Sequence, residues 1–120
     1  MDYDKENIVL NKSFDFALKI IELYKLLKEH KEFVISKQLL KCGTSIGANI
    51  EEANAAQTKK DFATRMSIAS KEARETRYWL RLLEQSKLVN LDYKKYLIDI
   101  DELIRIITAI VKTAQKNLNQ

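Results

Sequence analysis

The chain has no proline and only two glycines in 120 residues. These two residue types do most of the work of stopping helices and turning strands, so a chain nearly free of them is built from long helices with few breaks. What remains is rich in Leu, Ile, Ala, Lys and Glu, which lose little freedom in a helix. This length supports one hydrophobic core, so residues 1–120 are expected to form a single domain.

Apolar periodicity divides the chain into four segments. The first is expected over 13–29, with Ser13 as its N-cap. It carries two apolar lines: Phe14, Ala17, Leu18 and Ile21 with Tyr24 nearby, and Phe16, Ile20, Leu23 and Leu27. Two lines mean either one broad core face or one stripe that packs on another subunit. The second helix is expected over 35–57, with Leu39, Cys42, Ile46, Ile50 and Ala53 inward. Its run Cys42-Gly43-Thr44-Ser45-Ile46-Gly47-Ala48 places two glycines four residues apart inside a helix. Each costs about 1 kcal/mol relative to alanine, so close approach of a neighbouring helix, or a bend, is the expected compensation. An exposed backbone admitting phosphate is the other reading, but no phosphate-loop sequence follows.

Thr58 and Asp61 have capping-box spacing and open a third helix over 59–88, with Phe62, Met66, Ala69, Ala73, Thr76, Leu80 and Leu83 on one stripe. Asn90 or Asp92 is expected to cap the fourth, over 92–118. Its stripe is Tyr93, Leu97, Ile100, Ile104, Ile107, Val111, Ala114 and Leu118, widened by Leu103, Ile106 and Ile110. Short links place consecutive helices antiparallel, so the fold class is all-α, an antiparallel up-and-down four-helix bundle.

Several classes of chemistry find no support. One cysteine, Cys42, permits no intrachain disulfide, and one histidine, His30, has no His or Cys partner for a zinc site. Glu72 and Glu75 lie one turn apart, yet the Glu-x-x-His elements of a di-iron bundle are missing. No catalytic residue, metal or cofactor is therefore expected, and the protein is read as not an enzyme. Met1–Glu6 lacks the pattern of a signal peptide and no run reaches the length of a membrane span, so a cytoplasmic protein without a membrane partner is expected.

Net charge is +4, and residues 33 to 90 hold all of the excess, with 10 Lys and Arg against 6 Asp and Glu. Lys37, Lys41, Lys59, Lys60, Arg65, Arg74, Arg77 and Arg81 supply it, and with Tyr78 and Trp79 they form a candidate nucleic-acid surface. Alternatively these charges make surface ion pairs, with Glu52, Glu72 or Glu75 meeting Arg74, Arg77 or the Asn49 amide at a helix seam that sets register or a subunit contact.

The stretch from Lys37 to Ala53, KQLLKCGTSIGANIEEA, resembles the signature of the small bacterial four helix bundle proteins, a family that includes proteins encoded in intervening sequences of 23S ribosomal RNA genes. Asp61-Phe62 and IASKEARETRYWL from Ile68 to Leu80 are similar to that family's third-helix pattern. On this resemblance Gly43, Ser45, Ile46, Gly47, Asn49 and Glu52 belong to the helix-two motif, and Glu72, Glu75, Tyr78 and Trp79 to the helix-three motif, in packing or assembly. The resemblance implies a homopentameric barrel. It is similar in shape to the accessory variability determinant of diversity-generating retroelements, a pentamer that engages nucleic acid and a reverse transcriptase. The expected function is a non-enzymatic oligomer binding structured RNA or DNA through a basic face, or else an assembly scaffold for a protein partner.

Overall fold

The computed structural model describes the backbone of residues 3–119 and the side chains of 8–119, so the reading of Met1–Glu6 as free of a signal sequence lies outside the described side chains. Four helices, α1 (Tyr3–Glu29), α2 (Ile35–Asn54), α3 (Lys59–Ser86) and α4 (Lys94–Leu118), run up and down in a rod of 50 × 21 × 21 Å. Each helix packs against its neighbours in sequence, and α4 closes back on α1.

Four stripes meet on the axis: Val9, Phe16, Ile20, Leu23 and Leu27; Leu39, Ile46, Ile50 and Ala53; Met66, Ala69, Ala73, Leu80 and Leu83; Tyr96, Ile100, Leu103, Ile107 and Ile110. Their alternating steps of three and four residues keep one face of each helix on the seam. The expected stripes of α2 and α3 are buried, Phe62 alone being half-buried.

Three expectations need correction. Ser13 does not cap α1, which already runs from Tyr3. It sits inside the helix, buried, its hydroxyl donating to the Leu10 carbonyl at 3.1 Å, a small residue where α2 comes close. In α4, Tyr96, Leu103 and Ile110 fill the core, while Leu97, Ile104 and Val111 stay half-buried and Leu118 is exposed. Both lines share Ile100, Ile107 and Ala114, so spacing alone could not choose between them. Finally, α2 ends at Asn54, three residues short of expectation, where the amides of Ala55 and Ala56 bond the Glu52 and Ala53 carbonyls.

The glycines of α2 serve close approach to α1. A Cβ on Gly43 would stand 2.9 Å from Ile20 Cγ2, whereas on Gly47 it would meet the Ser13 carbonyl oxygen at 3.4 Å, an ordinary contact. Gly47→Ala is therefore expected to gain up to about 1 kcal/mol from helix propensity, seen as a higher midpoint in urea unfolding.

The links are short and capped. Thr58 Oγ1 accepts from the Asp61 amide at 3.0 Å as the sequence predicts, and Asp92 accepts from the Lys94 amide at 3.0 Å, one position before Tyr93 at the helix N-cap. The α1–α2 link carries a device that the sequence reading did not find. The Glu32 carboxylate accepts the amides of Val34, Ile35 and Ser36 at 3.1, 2.9 and 2.6 Å, and the Ser36 hydroxyl donates to the Glu32 carbonyl at 2.8 Å. Burial pushes this carboxyl up, but the three amides outweigh it and hold it below its ordinary range. α1 and α3 end on lysines in the left-handed region, Lys31 (φ 62°) and Lys87 (φ 55°), where glycine or asparagine is the less strained choice by about 1 kcal/mol.

Candidate interaction surfaces

The helix-two motif divides between two neighbours. Gly43 and Gly47 face α1 and Ile46 enters the core, while Ser45, Asn49 and Glu52, at steps of four and three, share the side turned toward α3. Glu52 pairs there with Arg65 at 2.8 Å, not with Arg74 or Arg77. The Asn49 amide donates to the Ser45 carbonyl of its own helix at 2.8 Å rather than across the seam. From α3, Glu72, Glu75 and Trp79 lie along the facing line, with Trp79 half-buried and its Nε1 donating to Glu75 at 3.1 Å. Tyr78 stands exposed, its ring edge-on to Trp79 at 5.2 Å. Burial, then the charge of Glu75, raises the Glu72 carboxyl above its ordinary range, and Lys41 across the seam opposes the rise. Beneath them burial pushes the Cys42 thiol up to about 11, which leaves it a protonated packing group at neutral pH. Among the described residues no three His, Cys, Asp or Glu side chains gather to hold a metal.

The eight cations singled out in the sequence do not converge. Arg65 is engaged with Glu52, Arg77 Nε bonds Asp101 on α4 at 2.8 Å, and Arg74 reaches Thr108 on α4 at 3.5 Å. Thus Arg74 and Arg77 face α4, on the opposite side of α3 from Arg65 and its α2 partner. Lys37 stands near the start of α2, and Lys59 and Lys60 lie beyond its other end. Lys37, Lys41, Lys59, Lys60 and Arg81 form no ion pair among the described residues. The exposed pairs contribute about 0–1 kcal/mol each.

Folding redistributes the charge that looked central in the sequence. The half of the bundle holding the α1–α2 and α3–α4 links comprises residues 17–44 and 73–106, with 13 Lys and Arg against 9 Asp and Glu. The rest of the chain balances at 8 against 8. Lys31, Lys87, Lys94 and Lys95 join this end without any counterpart in the sequence reading, because each sits in or beside a link and follows no helical stripe. The two links are close enough for the Glu32 charge to contribute to raising the Tyr93 hydroxyl pKa, after burial itself.

One apolar line of α1 has no partner among the described residues. Phe14 is 60 % exposed, Leu18 51 % and Ile21 36 %, while Leu10 and Ala17 beside them are half-buried. This excludes the broad core face and leaves Phe16, Ile20, Leu23 and Leu27 as the inward line.

Fold and surfaces together define a small antiparallel four-helix bundle whose distinctive residues shape helix contacts and outer faces. The chain belongs to the 23S rRNA-intervening sequence protein family, whose sequence model matches residues 5–109. It is also similar to a protein of unknown function from the S23 ribosomal protein family of Bacteroides thetaiotaomicron, known from its crystal structure. The two are 47 % identical with a TM-score of 0.85 over 90 % of this chain and 98 % of the other. Among curated proteins, none matches. No helix among the described residues is long and apolar enough to cross a membrane.

Proposed function

We propose that this protein is a non-enzymatic, self-assembling helical bundle, a homopentamer in the state that the family resemblance implies. The observation that carries assembly is the line of Phe14, Leu18 and Ile21, three large apolar side chains at steps of four and three on an outer helix face. A stripe of this spacing is what one helix offers another across a subunit contact. Because the three side chains stand away from the core, they can be changed without opening it. Phe14→Lys/Leu18→Lys is expected to convert the assembly to 14.0 kDa monomers in multi-angle light scattering while helical circular dichroism is retained. A wild-type protein that is monomeric at every concentration would refute the reading.

Nucleic-acid binding is a second reading, supported by the excess of positive charge and by the cations that form no ion pair among the described residues. Assembly would multiply that charge on one particle. Phosphate contacts make affinity fall steeply with salt, whereas a scaffold for a protein partner ignores RNA at any salt.

A further inference from the structure

We infer that the end of the bundle formed by the α1–α2 and α3–α4 links, and not the α2–α3 face, is the surface that grips nucleic acid, as a single strand. The inference rests on the nucleic-acid reading above and adds the site and the form of the ligand. Three observations carry it.

The first is the charge partition. All of the net +4 falls in this half of the rod. Its Lys28, Lys31, Lys37, Lys87, Lys94 and Lys95 make no ion pair among the described residues. Two of its carboxylates, Glu32 and Asp92, are turned to backbone amides. A half with a net positive charge beside a neutral half steers a polyanion to one end.

The second is the conformational choice at both helix ends. Lys31 and Lys87 occupy the left-handed positions that glycine or asparagine fills at lower cost. A cation does complement the negative C-terminal end of a helix, but a lysine one residue earlier would do so in ordinary helical conformation. Both lysines are exposed, so the left-handed position of each link at this end carries a solvent-accessible cation.

The third is Phe33, 53 % exposed in the α1–α2 link between Lys31 and Lys37, where its ring can stack on an unpaired base. The cations also climb the sides of the rod through Lys25, Lys41 and Arg81 instead of lying in one plane. That distribution fits a flexible strand better than a flat anionic membrane.

The test uses fluorescence anisotropy of a labelled single-stranded RNA and of its duplex form, across a salt series, with vesicles of phosphatidylserine and phosphatidylcholine alongside. Lys31→Gly/Lys87→Gly is expected to weaken single-strand binding about tenfold and to lower the log–log salt slope by about 1.4, from two lost contacts. Its melting temperature should rise as the left-handed strain is relieved, so damage to the fold cannot explain the loss. Phe33→Ala should weaken the single strand about tenfold and leave the duplex unchanged. Lys59→Gln/Lys60→Gln, at the other end, should bind as wild type does.

Equal loss in the Lys59/Lys60 variant, or none in the Lys31/Lys87 variant, overturns the site and leaves nucleic-acid binding standing. No binding by the wild type at low salt removes the reading itself. Tighter binding to vesicles than to RNA overturns the choice of partner.

Discussion

In an Ile20→Ala background, Gly43→Ala is expected to raise stability by about 1 kcal/mol, although in the wild-type protein the same change should lower it by about 1 kcal/mol. Ile20 is fully buried, and its Cγ2 and Cγ1 stand 2.9 and 3.0 Å from the position a Cβ on residue 43 would take. Adding that methyl to the intact protein forces a β-branched, close-packed side chain to move, at an overpacking cost of about 1–3 kcal/mol against a gain of about 1 in helix propensity. Ile20→Ala alone should cost about 3 kcal/mol through lost burial and the cavity it leaves. It also removes both γ-carbons, so the new methyl enters free space. Urea unfolding of the four proteins at one protomer concentration gives the coupling directly. Simple additivity would show that the glycine answers to something other than the approach of α1.

Glu32→Ala should destabilise the bundle by about 2–3 kcal/mol, a large effect for a residue in a link. Three amides at the start of α2 lose their acceptor at once, and charge-assisted bonds are stronger than neutral ones. Glu32→Gln keeps the shape but loses the charge and one of the two acceptor oxygens, so a smaller loss of about 1–2 kcal/mol is expected. The folded-state pKa lies below the unfolded value, so the carboxylate's stabilisation is fully present above the unfolded pKa of about 4.3 and fades as pH falls through the folded value. The gap between wild type and Glu32→Gln should therefore be constant near neutrality and close in acid. A gap that persisted at low pH would mean that the second acceptor oxygen, not the charge, makes the cap.

Much of this was legible in advance. The scarcity of helix breakers and the regular stripes of α2 and α3 dictated four helices and most of the residues on the axis, because burial of one face per turn leaves a periodic trace in the chain. The positions of Gly43 and Gly47 likewise announced a close neighbour. Glu32 was missed because its partners are backbone amides, which have no letter in the sequence. The eight cations looked like one group because they are near in sequence, yet α3 sends Arg65 toward α2 and Arg74 and Arg77 toward α4.

Four helices and their antiparallel order follow from local propensity and short connections alone, whereas the start of α1 at Tyr3 and the end of α2 at Asn54 do not. Packing chose which apolar line of α1 and which of two interleaved lines of α4 face inward. A helix with two apolar lines satisfies the same periodicity with either one buried, and the choice is made by the volume and position of the opposing helices. It also decided where the charge lies, since folding the chain back three times turned an excess in the middle of the sequence into an excess at one end of the bundle.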